Sequence, residues 1–394
     1  MVLEFPNSRN DWKLDAVGLL AVIGETTTET CVEPMTASYL CLLPRLIPAP
    51  QALIRPNRRI ALASVSASIV GVYSGTTMSQ LSYISNQIHP IAMLPTFGVR
   101  VLQIKHRQDP DALRRQTTNL EKMLNYIEPP LPMMKAKLIS PHNILSVATT
   151  LLTLGLLLWA IIIEDGPATT AIVLLASATT IFCAASLWSP SAGPRSRFSF
   201  VPPGDVVIRT KEGSFLIVKC NEEVSRELYF GTDELRQAIT TGFGLCVGIG
   251  TVVFMVAVIL MGNSSWTMQA ALAVTYLLLN AVYWFVALLP STTHWEFPRY
   301  EWEDITPEDA RDAEKVTDQE NQREGYPSFT RSLWFAIRET KRTGWVSRSG
   351  AAPETDSWKV WLEEAERNAV NGNRSWNAVE RKNQILNSAR GDVE

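Results

Sequence analysis

Charged side chains are missing from four long stretches of this chain. Residues 143–163, 168–188, 241–261 and 267–289 contain no lysine, arginine, aspartate or glutamate. The residues that usually carry chemistry are also scarce. Four histidines, His89, His106, His142 and His294, are far apart, which excludes the i, i+4 pair of a helical zinc motif. Five cysteines, Cys31, Cys41, Cys183, Cys220 and Cys246, show no metal-ligand spacing, and a reducing compartment would leave them unbridged. The sequence has no nucleophile elbow, phosphate-binding glycine loop or paired-carboxylate motif. It therefore offers no catalytic, cofactor or metal residues. A net charge of −3 gives no electrostatic footprint for nucleic acid. No signal peptide is expected, because the short apolar run at 16–23 follows Glu4, Arg9, Asp11, Lys13 and Asp15 rather than a basic segment.

What is present is organised in pairs. About 20 apolar residues at 1.5 Å rise cross a bilayer core of roughly 30 Å. The first two runs are joined only by Glu164-Asp165-Gly166-Pro167, and the last two only by Gly262-Asn263-Ser264-Ser265-Trp266. Links so short predict two antiparallel hairpins. The expected fold is mainly α: a four-span helical membrane bundle with a small cytoplasmic β-hairpin and helix element and a helical C-terminal tail. All 36 lysines and arginines lie before Pro141, between Ser189 and Gln237, or after Pro290. Positive flanks stay cytoplasmic, so both termini and the central loop are expected in the cytosol and the two links outside. Asn263-Ser264-Ser265 fits a glycosylation sequon, but too near the membrane to be a good acceptor.

The expected boundaries are 1–140 for a partly ordered cytoplasmic region, 141–189 and 241–290 for the hairpins, 190–240 for the central loop, and 291–394 for the tail. Within the first region, residues 60–99 carry no Lys, Arg, Asp or Glu. They read as helices on the cytoplasmic face or as two short crossings, since one crossing would break the charge pattern. Residues 101–127 read as helical, and Pro129-Pro130-Leu131-Pro132 as a stiff spacer. In the central loop, β-rich segments at 206–210 and 214–220 flank the turn Lys211-Glu212-Gly213, and Asn221 caps a helix closed by Gly231. The tail holds seven of the twelve tryptophans and reads as an acidic helix opened by the cap Thr306-Pro307-Glu308-Asp309, followed by helices at 328–342, 355–371 and 375–388.

Three stretches carry a resemblance: Ala336-Ile337-Arg338-Glu339-Thr340, Gly344-Trp345-Val346 and Ser349-Gly350-Ala351-Ala352-Pro353. With Trp361-Leu362-Glu363-Glu364-Ala365 and Pro202-Pro203-Gly204-Asp205, they resemble a family of uncharacterised fungal multi-pass membrane proteins over about residues 140–385. The resemblance implies membrane insertion and carries over no activity.

The functional expectation is a non-enzymatic anchor and interaction protein that presents a cytoplasmic module to a protein partner or the lipid surface. The alternative is an oligomeric channel or uncoupled transporter for a small solute. Gly244 and Gly248 form a GxxxG face suited to close helix packing in a homo-oligomer. Asn280 reads as a polar packing residue among Tyr276 and Tyr283, and the threonines of the spans as interhelical hydrogen-bonders. Arg331, Trp334, Arg338, Lys341 and Arg342 give helix 328–342 a basic, aromatic character suited to an anionic leaflet.

Overall fold

The computed structural model describes residues 25–54, 64–107, 133–190, 201–231, 235–237, 242–290, 293–321 and 323–391. The proline spacer, and most of the helix expected at 101–127, lie outside these residues. The chain is mainly helical, with four long apolar helices of the length and composition of membrane spans, and it divides into two compact units. The sequence region 1–140 contributes to both.

The first unit contains the four apolar helices: α1 (Pro141–Ile162), α2 (Gly166–Ser186), α3 (Phe243–Gly262) and α4 (Trp266–Ala287). Caps define the first two. The Ser140 hydroxyl accepts from Asn143 N at 3.2 Å, and Asp165 Oδ1 accepts from Ala168 N at 2.9 Å. A proline stands in the first turn after each cap, where its missing N–H leaves no helix bond unmade. Asp165 Oδ2 also accepts from Ser265 N at 2.8 Å, so the two links meet. Burial pushes this carboxyl up, but the N–H groups of Ala168 and Ser265 outweigh it and hold its pKa below the usual value. α2 is the most enclosed helix and packs closely along α3. Outward faces are apolar, with Leu151, Leu158, Val252, Ile259, Leu278 and Phe285 all exposed.

Thr149, Thr150, Thr153, Thr169, Thr170, Thr179, Thr180, Thr251 and Thr275 donate within their own helices rather than across to a neighbour. Thr149 donates to Leu145 O, Thr179 to Leu175 O and Thr275 to Ala271 O, each four residues back. A hydroxyl satisfied in this way needs no partner on another helix in an apolar setting.

Residues 25–54 belong to the same unit. Helix Glu25–Thr36 and the 3-10 turns Tyr39–Leu42 and Pro50–Ile54 bury Cys31, Met35, Leu46, Ile47 and Leu53 in one core with Phe182, Leu279 and Tyr283. Leu46 N donates to Thr153 Oγ1 at 3.0 Å, and Ser186 Oγ to Leu53 O at 2.6 Å. Thr153 lies about 18 Å along α1 from its first residue, so the segment reaches the middle of that helix. Its prolines hide this from the sequence, because they erase any helical period while removing N–H groups that would need partners there.

The second unit is built on a six-stranded sheet. Its strands are β1 (Val65–Gly71), β2 (Thr77–Leu81), β3 (Val99–His106), β4 (Val206–Arg209), β5 (Phe215–Lys219) and β6 (Tyr300–Asp304), in the order β6-β3-β5-β4-β1-β2. β3 and β5 run parallel, and the other neighbours antiparallel. The β4–β5 hairpin turns at Gly213, φ +80°, as its sequence implied. Asn221 is the expected cap, its Oδ1 accepting from Val224 N at 3.0 Å. Two expectations are corrected. In the uncharged stretch 60–99, the described part from residue 64 is not helical throughout, since it supplies β1, β2 and the short helix Tyr83–Ile88; the helix expected from 101 is strand β3 up to His106. Apolar residues alternating with serine in Val65-Ser66-Ala67-Ser68-Ile69 suit a pleated, half-covered surface.

Helices α5 (Phe329–Thr340) and α6 (Gly344–Arg348) cover one face of the sheet, and α7 (Asp356–Val370) and α8 (Ala378–Gly391) pack on α5. Tryptophans of the tail help build this core. Trp345 packs edge-on to Phe215 and donates to Thr340 Oγ1 at 3.0 Å, while fully buried Trp361 donates to Ala378 O at 2.9 Å. Helix Tyr83–Ile88 and the helical turns 222–230 contribute Ile84, Ile88, Leu228 and Tyr229 as further buried residues.

Candidate functional site

The residues singled out in the sequence do not come together. Gly244 and Gly248 are exposed on α3, and a Cβ on either would meet nothing within 4 Å. The close approach inside the chain is at Gly250, where a Cβ would stand 2.5 Å from the Phe182 ring. Asn280 is half-buried on α4, and its Oδ1 is buried without a hydrogen-bond partner.

The basic helix is corrected more strongly. Arg331, Trp334 and Arg338 are buried and are not presented to a surface. Arg331 donates to Lys315 O, Gly325 O and Thr317 Oγ1, and Arg338 makes a two-pronged pair with Asp309 at 2.5 and 2.8 Å. The stripe of Leu333, Trp334 and Ile337 draws the helix into the core, so its arginines need partners there. Lys341 and Arg342 remain exposed.

Four constellations were not legible in the sequence. In the first unit, Arg45 is fully buried. Its NH1 donates to Leu40 O and Cys41 O at 3.0 and 3.3 Å, while Nε and NH2 have no hydrogen-bond partner. In the same unit His142 and His294, distant in sequence, pack with ring centroids 4.7 Å apart. Burial, and then the Lys137 charge, hold the His294 pKa below its usual value.

In the second unit, Glu227 sits in the π-helical turn Arg226–Phe230. It accepts from Arg299 Nε at 3.1 Å, from Arg299 NH2, and from Tyr300 OH at 2.8 Å; His106 Nε2 lies 2.9 Å away. Burial raises this carboxyl, but His106, Arg299 and Tyr300 outweigh it and hold the pKa at about 2. Both carboxylate oxygens are engaged, so the cluster is a clamp that ties β3 and β6 to the helical turn.

The fourth constellation is open. A groove of about 490 Å³ is lined by Ser66, Ala67 and Ser68 of β1, Thr77, Met78 and Ser79 of β2, Arg209 of β4, and Thr210 and Lys211 in the turn that follows. Ser68 and Arg209 are register partners, on the face that α5 and α6 cover elsewhere. The cover ends at the Ser349–Gly350 turn, where Gly350 has φ +62°. Ser68 Oγ donates to Ser349 O at 3.3 Å, and Arg209 NH1 to Gly350 O at 2.8 Å. Arg209 Nε is buried without a partner, and burial lowers the pKa of the guanidinium. In the same unit, Arg342 lies over the Tyr73 ring at 4.7 Å, and the Arg348 guanidinium occupies the space a Cβ on Gly75 would need. Hydroxyls and cations in this arrangement can bind an acceptor-rich anion. Among the described residues no cluster of His, Cys, Asp and Glu could hold a metal ion. No family model matches the chain, and neither does any curated protein or solved structure.

Proposed function

We propose that the chain is a non-enzymatic membrane anchor, two antiparallel hairpins in a bilayer, that presents the sheet unit as a binding module in the cytosol. The observation that carries this reading is a contrast between surfaces. The four apolar helices expose leucine, isoleucine, valine and phenylalanine along their length, whereas the sheet unit gathers most of its large hydrophobic residues into a buried core and leaves open a groove that carries hydroxyls and two cations. The confinement of lysine and arginine to three segments supports a cytosolic module. Reporters at both termini, at Gly213 and near Met78 test the topology. All four should report the cytosol, and a reporter at Gly213 reached from the far side defeats the reading.

A second reading, an oligomeric channel or uncoupled transporter, is favoured by buried Arg45 and by the open Gly244–Gly248 face. An ionisable group inside an apolar bundle is a functional candidate by default. Gly244→Leu with Gly248→Leu should then lower the oligomeric state in detergent, and an unchanged state removes this version.

A further inference from the structure

We propose that the groove between Ser66, Thr77 and Arg209 binds a phosphate group carried on a larger molecule. This rests on the module being a binding unit, and it names the chemistry of that unit's ligand. A phosphate presents acceptors in every direction and carries charge, so its site needs donors and cations. The groove supplies both, with hydroxyls from Ser66, Thr77 and Ser79, while that of Ser68 is given to Ser349 O, and positive charge from Arg209 and Lys211. It has no carboxylate among its lining residues, which disfavours a cation or a sugar, whose hydroxyls need strong acceptors.

The cations are available. Arg299, Arg338, Lys219 and Arg381 each pair with a carboxylate in the same unit. Among the described residues Arg209, Lys211, Arg342 and Arg348 have no such pair. Arg209 is also fixed in place, because Gly350 O holds its NH1. A guanidinium held by one carbonyl and unmatched by an acid is preorganised for a charge-assisted bond to phosphate. The volume of about 490 Å³ leaves room beside the phosphate for whatever carries it.

The test uses the full chain in nanodiscs of neutral phosphatidylcholine. Binding of inorganic pyrophosphate and of short-chain phosphatidic acid is measured by calorimetry. Binding of either probe, weakened by salt and roughly tenfold or more by Lys211→Gln or Arg209→Gln, is the expected result. Lys211 is exposed at a turn, so its variant keeps the test valid if Arg209→Gln misfolds. Lys359→Gln, at a cation paired with Asp356 outside the groove, should bind as the wild type does. Phosphatidic acid alone binding identifies a lipid headgroup, and both probes binding identifies the phosphate itself. Neither binding, or equal binding by the groove variants, overturns the proposal. Topology reporters fail independently of this result, so loss of the anchor reading and loss of the phosphate site are distinguishable.

Discussion

Replacing Glu227 with glutamine tests whether the clamp is structural. The substitution keeps the shape and an acceptor oxygen but removes the charge that faces Arg299, whose side chain is 1% exposed. Arg299 would then be a buried cation without that counter-charge. Removing one partner of a buried pair costs about 3–5 kcal/mol. For a unit of this size each kcal/mol is worth about 2–4 °C, so Glu227→Gln should lower the melting temperature by roughly 6–20 °C. Hydrogen exchange on the full chain in detergent localises the effect. Amides of β3 and β6 should lose protection while those of α1–α4 do not. The double variant Glu227→Gln, Arg299→Met should recover part of the loss, because it also removes the buried cation that faced Glu227. An unchanged melting temperature in the single variant, or no recovery in the double, refutes the reasoning.

Other outcomes follow from particular contacts. Gly250→Ala should destabilise the α2–α3 packing by about 1–3 kcal/mol in detergent, because its Cβ meets Phe182, while Gly244→Ala should be neutral or slightly stabilising. Trp361→Ala, which empties a fully buried site, should cost about 3–5 kcal/mol, read from thermal unfolding. Burial lowers the His89 pKa to about 4, so the folded ring stays neutral. Its contribution is complete well above pH 6.5 and is lost as pH falls from there toward 4, with roughly 2 kcal/mol gone at pH 5. His89→Phe should flatten the stability profile between about pH 7 and 5. Glu227 adds a second loss below its ordinary value of 4.5, as pH falls toward about 2, and Glu227→Gln should remove that limb.

The sequence by itself determined the four apolar helices, the β4–β5 hairpin at Gly213 and the cap at Asn221. These depend on local periods, turn residues and capping groups, which a chain carries wherever it folds. Tertiary structure decided the rest. Residues 25–54 have no period, and only packing shows that they enter the helical unit. Strands β1 and β2 lack charge and resemble membrane segments until β4 provides an edge to pair with. Arg331 and Arg338 look like a surface until Asp309 and the carbonyls of Lys315 and Gly325 enclose them. The groove joins residues 66–79 to 209–211, and sequence separation hides such a site because its chemistry exists only once non-local strands pair.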